Sequence, residues 1–591
     1  MEPRSPASGA AREGTFDPRP ARVQAWLAGL PRANIGETTR RLFHALQDTN
    51  AQAIPAAQRF DLLERLRPVV LEMLQALQRH YLGARFPLPE RNRRVAELAG
   101  SLLHQLAQAY RRVVDDEWQR PRLLRDGRRL QAAVHRALDA LSLCLRQSYL
   151  VYAPPPRGIW RALHEIATFA RERGLDRPPQ SIPPGETSAP TARDLYKQTL
   201  LFSLACPYRL RQEEMRWLEA RLAHCARFAR LLEPGAPGAA DALFAVPIDG
   251  DEPPGYLDLL RPLLAHRTHL LFETRDLVEA CTGIDREAAD LPDPPGTTTL
   301  TRALLAWGAM PRRRFTRRDL EAEVEVTLGL SATHHYLLRG READCLTEEP
   351  GVRFEIVDPA EEARRPRDVW ELAGVPTPHE GDALRPLDLT GLPGAVSEAP
   401  EDGSGTDTGQ ARPPHAAPPV LQRWRLRDIS AGGMRLSAQA QTRAQVEVGE
   451  LVGIREPGTR RPHALGLGVI RWLKCDGKAG VEIGIETIAP QAVPVGARPA
   501  DSDNAYLPGL LLPELPAVRQ PPTLVLTTLP FRVGDRIEVC TGQDHTRVEL
   551  TRLVENTGRH AQYRFRPCER RGEKAEAPAQ ADAFDDLWQA L

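Results

Sequence analysis

The stretch "RDISAGGMRL", residues 427–436, places an aspartate, a serine and two glycines within six positions. The run "VLQRWRLRDI" leads into it and "GGMRLS" leaves it, and both have the apolar and aromatic content of β-strands. Glycines between two strands indicate a tight turn, because glycine adopts backbone conformations that other residues avoid. The stretch therefore predicts a polar turn that joins two strands.

Further short strands follow this turn. Their sequences are "QVEVGELVGIRE", "LGLGVIRWLK" and "GVEIGIETI". Short strands separated by glycine-containing turns are typical of a β-barrel or sandwich. We therefore expect an antiparallel β-barrel over residues 420–498. A further small β segment is expected over 505–567, with its fold left open, and a tail with a short helix over 568–591.

The N-terminal half has a different pattern. In "RFDLLERLRPVVLEMLQALQRHYL" the apolar residues step by three and four, which places them on one face of a helix. The same spacing recurs along residues 21–308 and predicts an all-α region. Helix pairs of this kind are found in α-solenoids, but no fixed 34-residue period is present, so a solenoid stays an open alternative. Such regions commonly bind protein partners.

Composition narrows the class of protein. The 591 residues carry 78 Lys+Arg and 78 Asp+Glu, so no overall charge favours DNA, RNA or a membrane as a partner. No run reaches the roughly 18 apolar residues that span a bilayer. Residues 1–20 are expected to be disordered and contain no apolar signal segment. The eight cysteines form no CxxC pair, which predicts neither disulfides nor zinc and favours a cytoplasmic location.

Linear motifs for catalysis are also missing. The sequence contains no P-loop, dinucleotide-binding glycine motif, nucleophile elbow or HExxH. The histidines of the helical region lie on separate helices, whereas a metal site needs clustered ligands. We therefore expect a non-enzymatic protein with no catalytic residue, metal or cofactor.

The turn itself carries a family signature. Asp428, Ser430 and Gly433 fit the pattern D/N-x-S-x-x-G, and the later segment "GLGVIRWLKCDGKAGVEIGIE" has the form of a closing hairpin. Together they resemble the PilZ domain, a small β-barrel that binds the bacterial second messenger cyclic di-GMP. The resemblance implies that Asp428, Ser430 and Gly433 belong to the cyclic di-GMP site. Asp428 would accept hydrogen bonds from a guanine edge, Ser430 would bond the phosphate or brace the turn, and Gly433 would let the backbone approach closely or adopt a positive φ.

The second signature of that family is an R-x-x-x-R pair just ahead of the first barrel strand. The window "TGQARPPHAAPPVLQ" in front of the turn has one arginine and no pair. Arg423 and Arg427 have the right mutual spacing, but they lie within the strand that leads to Asp428. We interpret them as arginines on the strand surface.

A candidate for the missing pair lies far upstream, in "MPRRRFTRRDLEAEVEVTL". Arg313 and Arg317 form one R-x-x-x-R, and Arg314 and Arg318 form an overlapping one. A strand with alternating apolar and acidic residues follows directly. The alternative is a basic run that ends a helix, where arginines favour the negative end of the dipole.

This placement predicts a split barrel. Residues 309–330 would supply an arginine arm and the first strand, and the chain would return to the barrel at residue 420. The intervening 331–419 is an insertion, partly disordered, because much of it is rich in Pro, Gly, Asp and Ser. An insertion of this length is tolerable, because the entropic cost of closing a loop grows only with the logarithm of its length.

The predicted function follows from these assignments. Arginine forks can bond guanine or phosphate and can stack on a purine, which suits cyclic di-GMP. Trp424 and Trp472 are interpreted as barrel core residues, with stacking as the alternative. We expect a receptor that relays cyclic di-GMP binding to the helical region and a protein partner. The alternative is a degenerate PilZ-like scaffold that no longer binds nucleotide.

Overall fold

The structure, a computed structural model, describes residues 16–177, 190–287, 295–310, 315–344, 421–439, 445–455, 465–476, 480–502, 504–515, 520–542 and 544–568. Several expectations therefore fall wholly or mostly outside the described residues. They are the disordered N-terminus, the greater part of the insertion, the tail helix, and two arginines of the arm, Arg313 and Arg314.

Most helices precede the barrel strands. Within the described residues the α-helices are α1 Pro20–Ala28, α2 Ile35–Ala51, α3 Ala56–Gln78, α4 Glu90–Gln119, α5 Gly127–Leu150, α6 Ile159–Glu172, α7 Ala192–Leu204, α8 Gln212–Glu219, α9 Leu222–Cys225, α10 Leu257–Leu264, α11 Arg275–Glu287, α12 Pro295–Gly308 and α13 Leu330–Asp344. Asn34, Asp126 and Thr191 cap α2, α5 and α7 by accepting backbone N–H groups of the first turn. The apolar faces of α2 to α5 pack together, as the helical period predicts. No helix in the described part of the chain is long and apolar enough to cross a membrane.

The prediction of an all-helical region over 21–308 is incomplete, because this segment also contains a small antiparallel sheet. Its strands are β1 Arg230–Leu232, β2 Phe244–Pro247, β3 Gly255–Tyr256 and β4 His269–Glu273, in the order β1-β4-β2-β3. These strands have two to five residues, and every residue of β2 is buried. Strands this short, and buried on both faces as β2 is, do not show the alternation that reveals a strand in a sequence.

The first barrel confirms the predicted split. Its strands are β5 Arg318–Leu328, β6 Gln422–Ser430, β7 Gly433–Ala438, β8 Leu451–Arg455, β9 Gly466–Asp476 and β10 Gly480–Ala489. They close in the order β10-β7-β6-β5-β8-β9, with antiparallel pairing throughout. β5 thus lies between β6 and β8, although the whole insertion separates it from β6 in the sequence.

A second closed barrel follows, and it defines the segment whose fold the sequence left open. Its strands are β11 Val493–Pro499, β12 Leu507–Leu512, β13 Thr523–Leu526, β14 Arg536–Thr541, β15 Asp544–Asn556 and β16 Ala561–Pro567. β11 pairs with β12 and β14, so it belongs to this barrel and not to the predicted 420–498 unit. The first barrel is already closed by the pairing of β9 with β10, which leaves no edge for β11.

The start of the predicted insertion is helical. α13 follows β5 directly, and its Leu330 and Leu337 are buried with apolar residues of both barrels. The helix thus fills the space between the barrels. This packing explains why 330–344 is ordered although it lies beyond the first strand.

The helical region and the first barrel share one continuous core. Buried Trp307 of α12, Trp424 of β6 and Leu473 of β9 belong to the same apolar cluster. Backbone bonds also join the two parts, since Phe86 and Val446 exchange N–H to carbonyl bonds of 3.0 and 2.7 Å. The helical region and the first barrel are therefore in direct contact through side chains and backbone.

Candidate functional site

The site is assembled where the arm enters the barrel. In the ladder between β5 and β6, Asp319 lies opposite Asp428 and Arg318 lies opposite Ile429. A register shift between Asp319 and Ala322 bends this end of β5. The split of the chain therefore brings the predicted arm directly to the predicted turn.

Asp428 is the centre of the site. Its side chain is only 2% exposed, and arginines approach it from two sides. Arg317 Nη1 lies 3.2 Å from Oδ1, and Arg435 Nε lies 2.6 Å from Oδ2. Among the described residues no aligned hydrogen bond reaches Oδ1, so this buried oxygen keeps acceptor capacity.

The turn after Asp428 is held by its own polar atoms. Ser430 Oγ donates to the Gly433 carbonyl at 3.1 Å, and the Thr487 N–H donates to the Gly432 carbonyl at 3.1 Å. A Cβ on Gly433 would lie 2.0 Å from the Ile485 carbonyl oxygen, so the close approach of β10 requires glycine here. Ser430 and Gly433 thus shape the turn, and Ser430 stays partly exposed.

The arm crosses this turn. Phe315 is partly exposed and covers Gly432, where an added Cβ would lie 2.6 Å from the ring. Arg317 reaches Asp428, whereas Arg318 is exposed and forms no ion pair with any described residue. Arg313 and Arg314 lie outside the described residues, so the structure does not place them.

The root of the arm is fixed to the helical region. Trp307 is fully buried and donates from Nε1 to the Leu201 carbonyl at 3.0 Å. The Tyr256 hydroxyl donates to the carbonyls of Ala306 and Ala309 at 2.9 and 3.2 Å. The arm therefore begins at the anchored end of α12 and reaches the turn that follows Asp428.

Arg435 is a site residue that is not among the predicted ones. It follows the turn on β7, directly opposite Asp428 in the ladder. Strand side chains alternate between faces, and the neighbouring Met434 and Leu436 are buried, so Arg435 projects from the opposite face. That alternation within "GGMRLS" is the sequence signal that could have identified it.

The same face continues across the sheet. Arg435 lies opposite Gly484 of β10, and Gly484 lies opposite Trp472 of β9. The indole covers Gly484, where an added Cβ would meet Nε1 at 1.8 Å. Trp472 is thus a half-buried residue in the same row as Asp428, while Trp424 is 1% exposed and belongs to the core.

A polar route leads from this row to the helices. Arg435 Nη1 lies 3.5 Å from Glu482, which is opposite Lys474 in the ladder. The Lys474 ammonium lies 5.4 Å from the ring centre of Tyr208 and 5.3 Å from that of Trp472. Burial lowers the Lys474 pKa to about 8, and the carboxylate of Glu482 opposes this shift.

The strand arginines Arg423 and Arg427 form ion pairs with acidic residues of β5 and none with Asp428 among the described residues. Arg423 is 75% exposed and lies 3.7 Å from Glu325, and Arg427 lies 3.2 Å from Glu321 and donates to Ser437. These contacts tie β6 to its neighbours. Among the described residues, no group of three or more His, Cys, Asp or Glu side chains is arranged to hold a metal ion.

The split six-stranded barrel with its D-x-S-x-x-G turn defines a PilZ-type protein, and comparison with known proteins agrees. Three family models match consecutive parts of the chain: "Cyclic-di-GMP receptor FimW, N-terminal domain" over residues 21–236, "Cyclic-di-GMP receptor FimW, middle PilZ domain" over 243–494, and "FimW C-terminal beta-barrel domain" over 495–568. The middle model thus begins within the small sheet and includes α10 to α12 with the barrel.

A curated relative covers nearly the whole chain. It is the protein named Cyclic-di-GMP receptor FimW of Pseudomonas aeruginosa, which is 31% identical over 97% of this chain and 96% of the relative. No solved structure matches. The chain belongs to the FimW family.

Proposed function

We propose that this chain is a cyclic di-GMP receptor whose ligand site lies between the arginine arm and the Asp428 turn. The contact of Arg317 with Asp428 carries the proposal, because it joins the two separated halves of the signature in one place. The family models and the curated relative bear the same function in their names.

The chemistry of the site suits a guanine nucleotide. The free acceptor capacity of Asp428 can receive the guanine N1–H and N2–H₂ donors. Arg317 is more than a third exposed, so it can turn its fork toward guanine O6 and N7 or a phosphate. Arg435 keeps a positive charge beside Asp428 when an anionic ligand approaches.

The other arginines of the arm extend this assignment. We assign Arg318, which is exposed and without an ion pair in the described structure, to a phosphate or to the second guanine. Arg313 and Arg314 are proposed to close over the ligand from the same arm. Ser430 braces the turn, and Trp472 offers a ring face in the same row as Asp428.

Binding is proposed to act on the helices without a chemical step. The arm starts from the anchored end of α12, and the route through Lys474 reaches Tyr208. Reordering of the arm on binding would therefore change contacts of the helical region, and the helical region would bind a protein partner. A cytoplasmic location is part of this proposal, because the eight cysteines are scattered along the sequence without a CxxC pair.

Under the alternative function, the chain is a scaffold whose barrel no longer binds nucleotide, and the Arg317–Asp428 ion pair only stabilises the barrel. Isothermal titration separates the two, with cyclic di-GMP and cyclic di-AMP as matched ligands. Adenine lacks the N1–H donor and the N2 amino group, so Asp428 should accept cyclic di-GMP and discriminate against cyclic di-AMP. If folded protein shows no heat of binding at high micromolar cyclic di-GMP, the scaffold function is supported and the receptor function is contradicted.

A further inference from the structure

An exposed apolar turn lies between α4 and α5, within the helical region. The turn is a short 3-10 helix, Arg122–Leu124, and its Leu123 is 99% exposed while Leu124 is 63% exposed. None of the other large apolar side chains in the described chain is as exposed as Leu123. The two adjacent leucines form a small exposed apolar tip.

Arginines surround these leucines. Arg122, Arg125 and Arg128 form no ion pair with a carboxylate of the described chain. Arg122 and Arg128 are exposed, so their charges face the solvent beside Leu123. Residues 120–129 hold five arginines and one acid, Asp126, which pairs with Arg129, so the turn presents an apolar tip with a positive frame although the whole chain is neutral.

The frame has a rigid base. The Arg125 guanidinium lies 3.7 Å from the ring centre of Trp118, and Arg173 lies 4.6 Å from the same ring. Arg120 and Arg129 are both held by the buried carboxylate of Glu117 at 3.4 Å. These contacts fix the ends of the turn, so the leucines are presented without a further ordering cost.

We propose that this turn, which we term the leucine turn (residues 120–129), inserts into the surface of an anionic lipid bilayer. Two leucines offer far less than the about 800 Å² per side of a stable protein interface. A bilayer needs no such area, because leucines enter the interfacial layer while each arginine adds attraction to anionic headgroups. The charge pattern of the turn matches this surface and does not match a neutral one.

This inference does not rest on nucleotide binding. The leucine turn belongs to α4 and α5, whereas the nucleotide site lies on the barrel face formed by β6, β7 and β10. Peripheral insertion of a turn also requires no membrane-spanning helix. The chain would thus combine a membrane-surface contact with a separate signalling site.

Vesicle co-sedimentation of the full chain without nucleotide tests the proposal. Vesicles of phosphatidylglycerol and phosphatidylcholine should bind the chain at about 0.1 M salt, and vesicles of phosphatidylcholine alone should not. The double variant Leu123→Ser, Leu124→Ser should weaken binding by about tenfold or more. The double variant Leu123→Ile, Leu124→Ile should retain it, because apolar area is kept.

Further variants separate insertion from unspecific adsorption. Arg122→Gln with Arg128→Gln should weaken binding by about tenfold and reduce its dependence on salt. Leu305→Ser is the matched control, since Leu305 is 65% exposed on α12 and should leave binding unchanged. No binding to anionic vesicles, or equal binding by the serine variant, would overturn the proposal. If the chain does not bind anionic vesicles, and the Leu123→Ser, Leu124→Ser variant loses a protein that cross-links to the wild type, the turn is a contact for a protein partner.

Discussion

Arg317 and Asp428 are 111 positions apart in the sequence, yet Arg317 Nη1 lies 3.2 Å from the Asp428 carboxylate. The contact exists because β5 inserts between β6 and β8 and carries the arm to the turn. The proposed ligand site is therefore a product of barrel closure, so each substitution in it is assayed for both nucleotide binding and barrel stability.

Arg317→Ala should weaken cyclic di-GMP binding by at least about tenfold, because a charge-assisted hydrogen bond contributes roughly 1.5–3 kcal/mol. Titration calorimetry measures the change. Arg423→Ala is the matched control, as Arg423 is exposed and its pair with Glu325 at 3.7 Å adds little. Equal affinities for the Arg317 variant and the wild type would remove Arg317 from the site.

Asp428→Asn should reduce both affinity and stability. The amide keeps the shape but replaces one acceptor by a donor, so guanine binding should fall by about tenfold or more. Arg317 and Arg435 would lose their charged partner, at a cost of about 1–3 kcal/mol because both arginines are partly solvated. Titration and urea unfolding measure the two effects. Asp319→Asn, at the exposed position directly opposite, should change neither.

Gly433→Ala should destabilise the first barrel far more than Gly432→Ala. A Cβ at Gly433 would overlap the Ile485 backbone carbonyl, so the β7–β10 pairing must shift, at a cost of more than about 2 kcal/mol. A Cβ at Gly432 meets the Phe315 ring, which can move away for less than about 1 kcal/mol. Thermal unfolding compares the variants, and similar losses would contradict the assigned geometry.

Lys474→Met should leave nucleotide affinity within about threefold, since Lys474 does not contact Asp428. It should remove the ligand-induced change in hydrogen exchange around Tyr208, because it breaks the route from the barrel to the helices. Arg471→Met is the control on the same strand, as Arg471 pairs with Glu486 of β10 and with Glu555 of the second barrel, and neither carboxylate belongs to the route through Lys474. A ligand response around Tyr208 that persists in the Lys474 variant would exclude this route.

Glu450 predicts a pH dependence of stability at the junction of helices and barrels. Burial raises its pKa to about 7, and repulsion from Glu447 adds to the shift, while Arg85 at 3.1 Å and Arg559 oppose it. The folded state therefore binds a proton more tightly than the unfolded state, whose carboxyl has the ordinary value of 4.5. Stability from this group falls as pH rises from about 4.5 to about 7, by up to about 3 kcal/mol.

Comparison with Glu450→Gln isolates that effect. Burial lowers the pKa of His164 and His560 to about 4, so these groups make stability rise with pH over the range from about 4 to 6.5. Both proteins share the histidine contribution, so the difference between their unfolding free energies reports Glu450 alone. The unfolding free energy of Glu450→Gln should increase relative to that of the wild type as the pH rises to 7. A difference that stays constant with pH would refute a raised pKa of Glu450.

Much of the site could be predicted from local sequence. The turn from Asp428 to Gly433 is a short-range feature, since its residues fold against each other and against adjacent strands. The position of the first strand was also predictable, because Val324 and Val326 alternate with acidic residues and are buried. The long helices could be predicted as well, because the spacing of their apolar residues is also a local pattern.

Other features were decided only by the tertiary structure. The sheet β1–β4 has strands too short to show a period, and β11 joins the second barrel because the first is already closed. Alternation within "GGMRLS" could show that Arg435 projects from the face opposite Met434 and Leu436, but its pairing with Asp428 is set by the register of β6 and β7.

The sequence by itself thus determined the elements and the polar turn, because these depend on residues within a few positions of each other. Tertiary structure decided which arginine meets Asp428, where one barrel ends and the next begins, and how Lys474 reaches Tyr208. Those outcomes depend on strand pairing and packing between distant segments, whose register no local pattern specifies.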